Sequence, residues 1–115
     1  MKALKKIISV VLLVFVMCSA ASAALPAVIM LASHDEPTCQ RMSEVLSEIN
    51  QKYRGRISTS IVYLEENQDI AKKYNVRYVP TLIFRDTDGK DFAGGVGYKT
   101  LQEVLRVFAA AHIKY

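Results

Sequence analysis

At 115 residues, 51% of them hydrophobic, the chain suffices for one small domain and is too short for two ordinary ones. Its net charge of +4, from 15 basic and 11 acidic residues, owes much to Lys2, Lys5 and Lys6 at the very start. The rest is nearly balanced, which argues against a nucleic-acid-binding surface.

Those lysines open a segment that reads as a targeting signal. Ile7 through Met17 is almost wholly apolar, and Ala21-Ser22-Ala23 supplies the small-x-small pattern that signal peptidase recognises. The apolar run is shorter than the roughly 20 residues that a membrane span needs. The expectation is an export signal over residues 1–23, cleaved after Ala23, and a periplasmic or secreted domain over 24–115. Contact with a membrane is expected only if that signal stays uncleaved. Cys18 follows the bulky Phe15-Val16-Met17, where a lipidation signal needs small residues. It leaves with the signal, so Cys39 is then the lone thiol and an internal disulfide is ruled out.

From Ala24 the elements alternate. Ala27 to Leu31 is continuously apolar, as in a strand covered on both faces. Pro37 to Tyr53 predicts a helix: Met42, Val45, Leu46, Ile49 and Tyr53 form one stripe. Pro37 suits its first turn, Asp35 and Glu36 its positive end, and Gly55 its stop. Ile57 to Leu64 is rich in β-formers, and a helical connection makes it parallel to the first strand.

Asn67 to Tyr74 predicts a shorter helix capped by Asn67, with Ile70, Ala71 and Tyr74 inward. Glu65-Glu66 and Lys72-Lys73 read as a solvated face. Val79 to Phe84 is a third strand introduced by Pro80. Asp86-Thr87-Asp88-Gly89 turns the chain, and Phe92 to Val96 returns antiparallel. Gly94, Gly95 and Gly97 predict a bulge or a close backbone approach. Thr100 to Ile113 is the last helix, with Leu101, Val104, Leu105 and Phe108 buried. The order β-α-β-α-β-β-α predicts an α/β fold with a four-stranded mixed sheet and helices on both faces.

A thiol in the first turn of the helix after the first strand, Tyr74 to Thr81 (Tyr-Asn-Val-Arg-Tyr-Val-Pro-Thr) and the late Val96-Gly97 together resemble the thioredoxin family. The resemblance runs over essentially all of 24–115, in a minimal form without the extra N-terminal strand and helix. It implies a thioredoxin-like fold with Pro80 as a cis-proline beside the active-site turn. It also implies a substrate-contacting surface of Val79, Pro80, Glu36 and Pro37.

The departures from the family pattern are chemical. The family's site is Cys-x-x-Cys; here Glu36 holds the first position and Cys39 the second. The tryptophan often found before it is Asp35, and the buried acid used for proton transfer is Met30. Dithiol exchange needs an attacking thiolate and a second thiol to release the mixed disulfide. Cys39 alone performs at most the first half, with a protein or small-thiol partner supplying the rest.

The readings that remain are a single-cysteine thiol-redox protein, a binding module holding an extended peptide, and a Cys39-linked dimer. His34, Asp35, Glu36 and Cys39 can also be read as metal ligands, a weak signal. His34 and Asp35 are adjacent, no second Cys or His lies nearby and His112 is remote, so no metal and no cofactor are expected.

Overall fold

The structure is a computed structural model that describes residues 24–115; the expected signal segment lies outside the described residues. Strand β1 (Ala27–Ala32) leads to helix α1 (Pro37–Lys52), strand β2 (Ser58–Tyr63) and helix α2 (Gln68–Lys73). Strands β3 (Thr81–Arg85) and β4 (Asp91–Val96) form a hairpin, and helix α3 (Leu101–Ala110) closes the chain. The sheet order is β2-β1-β3-β4, with β1 parallel to β2 and the other pairs antiparallel. This is the thioredoxin-like α/β arrangement that the sequence led us to expect.

The apolar run of β1 is explained by burial on both sides. Val28, Met30 and Ala32 join α1 and α3 in the larger core, with Met42, Ile49, Phe84, Val104 and Phe108. Ile29 and Leu31 face the other way, with Ile83, against Ile70 and Tyr74 of the α2 segment. Alternation along a strand thus serves two cores at once.

Several boundaries differ from expectation, each for a local reason. Pro80 cannot donate to the ladder, and β3 begins only at Thr81. Helix α3 is shorter than predicted at both ends. Thr100 is its cap, accepting from the Glu103 amide while Glu103 reaches back to the Thr100 amide. At the other end His112 takes a φ of 57°, and the Ile113 amide donates to the Phe108 carbonyl at 3.0 Å. That turn lets Ile113 and Tyr115 fold back onto the core. Asn67 precedes α2 but does not cap it through its side chain, which donates instead to the Tyr63 carbonyl at 2.8 Å.

The bulge falls away from the glycines. Phe84 pairs with Ala93 and Arg85 with Asp91, leaving Phe92 as the extra residue of β4. The irregularity accompanies the approach of the Phe92 ring to Phe84 and Phe108, with centroids 6.3 and 6.0 Å away. The close approach is at Gly94, where an added Cβ would sit 3.3 Å from the Leu82 carbonyl oxygen.

Candidate functional site

The sheet register assembles one end of the molecule. Leu31 pairs with Thr81, so one step further along the antiparallel pair Pro80 lies opposite Ala32. On the other side of β1, the Leu64 amide extends the ladder by donating to the Ala32 carbonyl at 2.9 Å. Thr81 also pairs with Val96, and the Gly97 amide donates to the Pro80 carbonyl at 2.8 Å. The turn after β1, the loop after β2, the loop before β3 and the end of β4 therefore share one end of the sheet. The Val79–Pro80 peptide is cis, as the resemblance implied.

Cys39 sits in the first turn of α1, whose N-cap is Glu36 and whose first residue is the exposed Pro37. The Glu36 carboxylate accepts from the Thr38 amide at 3.5 Å, so part of its role is structural. Asp35 is exposed in the turn. Cys39 is only 3% exposed and belongs to the larger core. Burial pushes its thiol up; a hydrogen bond from the Ser33 backbone pulls the other way, and the negative charges of Glu36 and Glu65 add to the rise. Met30, 1% exposed, lines the same small cavity of about 40 Å³ beside Cys39.

His34 and Tyr63 also line that cavity. The His34 ring stacks on the Tyr63 ring, centroids 3.8 Å apart and planes 12° from parallel. Its backbone amide donates to Glu65 Oε2 at 2.8 Å, and its Nε2 lies 2.9 Å from Glu66 Oε1. The His34 amide holds the Glu65 carboxyl below its ordinary range. The acidic pair is solvated, as expected, and His34 is exposed too; together the three groups also tie the β1–α1 turn to the loop after β2. Nothing local in the sequence announces this tie, because its partners are 31 and 32 residues apart.

Val79 is half-buried and Pro80 buried, so the loop presents backbone more than side chain. Around it three large apolar groups are exposed: Tyr78 at 69%, Val96 at 59% and Tyr98 at 39%. The Arg41 guanidinium lies over the Tyr98 ring, 4.8 Å from its centroid. Sequence reading missed these residues. A tyrosine just before the Val-Pro step and another just after Val96-Gly97 were the available signal. Among the described residues no three His, Cys, Asp or Glu side chains converge as a metal ion would require.

Comparison with known proteins places this geometry. A family described as "Thioredoxin-like domain" matches residues 16–112. Thioredoxin 1 of Nostoc sp. is 36% identical over 69 residues, covering 58% of this chain and 64% of its own length. Thioredoxin of Bacillus subtilis is 31% identical over 75 residues, covering 65% of this chain and 70% of its own length. Across the first such relatives the chain spans between 45% and 64% of their length. Among solved structures, thioredoxin-2 of the malaria parasite, described as a component of its protein secretion machinery, superposes with a TM-score of 0.69 at 19% identity. That match covers 75% of this chain and 82% of that one. Chloroplastic thioredoxin z gives a TM-score of 0.70 at 12% identity, covering 76% and 79%. At such identities the structures speak for the fold; the family match and the Bacillus relative speak for descent. The chain belongs to the thioredoxin-like domain family.

Proposed function

We propose that this chain is an exported thiol-redox protein that works through Cys39 alone, forming mixed disulfides with a protein or small-thiol partner. The observation that carries this reading is the placement of the thiol in the first turn of α1, at the sheet end that also holds the cis Val79–Pro80 peptide. Thiol redox is the family's chemistry, and Cys39 and Pro80 occupy two of its functional positions. With Glu36 in the attacking position, the domain over 24–115 has no second thiol for an intramolecular disulfide. A thiolate at Cys39 attacks a substrate disulfide, releases one half as a thiol, and waits for an external thiol to free it. Full dithiol reduction is outside its reach.

The export part of the proposal rests on the basic, apolar and small-residue pattern of residues 1–23. Among the described residues no helix is long and apolar enough to cross a membrane. Cell fractionation with mass measurement of the recovered chain tests it. An exported product starting at Ala24 agrees; a full-length cytoplasmic product contradicts it.

A second reading has its own support. Cys39 is buried and its thiol is pushed up, while Tyr78, Val96 and Tyr98 stand exposed around the proline loop. That combination suits a binding module in which an extended peptide lies along the loop and no sulfur reacts. Disulfide reduction in the presence of glutathione separates the two. Turnover that disappears in Cys39→Ser supports the redox reading. No turnover in either form, with a captured partner indifferent to the substitution, supports the binding module.

A further inference from the structure

We propose that His34, held by Glu66 and stacked on Tyr63, is the group that accepts the Cys39 proton, taking over a task for which the position of Met30 offers no side chain. The inference deepens the redox reading above and rests on it.

Cys39 shares a cavity of about 40 Å³ with Ser33, His34, Gln40, Ser43 and Tyr63. Its wall is polar in part, with Met30 on the apolar side, and it has room for a water molecule. Imidazole is the side chain that ordinarily exchanges protons between about pH 5 and 8. Among the described residues, His34 is the one imidazole lining this space, and the other titratable groups there are the thiol itself and the Tyr63 phenol.

The hydrogen bonding then selects the tautomer. Glu66, as a carboxylate, can only accept, so the 2.9 Å contact requires His34 Nε2 to carry a proton. In the neutral ring that leaves Nδ1 with a lone pair. Once Nδ1 is protonated the ring is a cation, with Glu66 at 2.9 Å and Glu65 Oε2 at 3.9 Å to balance it. Stacking on Tyr63 and the amide bond to Glu65 fix the ring and its segment. The charged groups facing the thiol, Glu36 and Glu65, both disfavour a thiolate, and so does burial. A neighbouring proton acceptor is the arrangement that relieves this.

The step balances without an added reagent. The Cys39 S–H bond breaks and its proton passes to His34 Nδ1 through a water that the shared cavity admits. The sulfur keeps the electron pair and forms a bond to one sulfur of the partner's disulfide. That S–S bond breaks, and the departing sulfur leaves as a thiolate that takes the proton back from the imidazolium. Cys39 ends in a mixed disulfide, and the leaving half ends as a thiol.

The test is the rate of Cys39 alkylation by iodoacetamide, followed against pH in the folded chain. His34→Gln keeps a hydrogen-bonding group for Glu66, and His34→Phe keeps a ring for Tyr63; both lack the base. Each is expected to slow alkylation at pH 7 by about tenfold or more and to move the profile to higher pH in a chain that stays folded at the assay temperature. Glu66→Gln is expected to shift it the same way by less. A profile unchanged in both His34 variants, or alkylation made faster by them, overturns the proposal, since the ring would then only cover the thiol. The two levels fail differently. If the wild-type thiol accepts neither iodoacetamide nor glutathione, the redox reading itself falls. If the wild type and His34→Gln take up glutathione with one common pH profile, only the role of His34 falls.

Discussion

The Gly97 amide donates to the Pro80 carbonyl at 2.8 Å, and Gly97 can do so because its φ is +94°, a region that side-chain-bearing residues rarely enter. An added Cβ there would meet nothing within 4 Å, so the demand on this position is purely one of backbone conformation. Gly97→Ala is therefore expected to cost about 1–2 kcal/mol, read from urea unfolding. A variant as stable as the wild type would show that this backbone geometry is not needed.

The last helix depends on its first turn. Thr100 and Glu103 satisfy each other's backbone amides, and the same bonds hold the Glu103 carboxyl below its ordinary range. Thr100→Ala is expected to lower stability by about 1 kcal/mol. Because the folded carboxyl is depressed, its contribution is complete above the ordinary carboxylate range and fades as pH falls through the lower folded value. The stability gap between Thr100→Ala and wild type should therefore shrink on going from pH 6 toward pH 3. A gap that widens in acid would contradict this.

A second tie, between α2 and the hairpin, is made by three polar groups. The Tyr74 hydroxyl donates to Asp91 Oδ2 at 2.8 Å, Arg85 Nε donates to Asp91 Oδ1 at 2.6 Å, and the Arg85 guanidinium reaches the Tyr74 oxygen at 3.3 Å. Partial burial pushes the Asp91 carboxyl up, but the hydrogen bonds from Arg85 and Tyr74 outweigh it and leave it lowered. Tyr74→Phe keeps the ring against Ile70 and the sheet and removes only the hydroxyl. It is expected to cost about 1 kcal/mol at neutral pH, and less in acid, where Asp91 takes up its proton. A cost that grows as the pH is lowered would sink the assignment.

Phe108 shows where the fold's apolar weight lies. It is fully buried, with Phe84 edge-on at a centroid distance of 5.5 Å and Phe92 at 6.0 Å. Phe108→Ala is expected to cost about 3–5 kcal/mol in denaturant unfolding. A loss below about 1 kcal/mol would mean that the site collapses around the cavity far better than this packing suggests.

Much of this architecture was legible because it is local. The stripe of Met42, Val45, Leu46 and Ile49 fixed the inward face of α1, and all four are buried. The apolar run of β1 announced a strand with two covered faces. Pro80 and Gly97 were singled out, one through the family resemblance and the other as a glycine out of place in a strand. What escaped was non-local. The clasp of His34 on Tyr63, Glu65 and Glu66 joins groups about thirty residues apart and follows no period that a single sequence displays. The glycines signalled either a bulge or a close approach, and the close approach is found at Gly94; the bulge itself lies at Phe92, where the packing of an aromatic ring accompanies the irregularity. Helix α3 was overextended because Ile113 matches the apolar spacing and yet reaches the core from a left-handed turn.

The central claim is that Cys39 reacts in the folded protein, and intact mass after incubation with oxidised glutathione tests it most directly. The account predicts one glutathione adduct per chain under native conditions, removed by dithiothreitol and absent in Cys39→Ser. A wild-type chain that stays unmodified while folded, and takes up glutathione only once denatured, would contradict it.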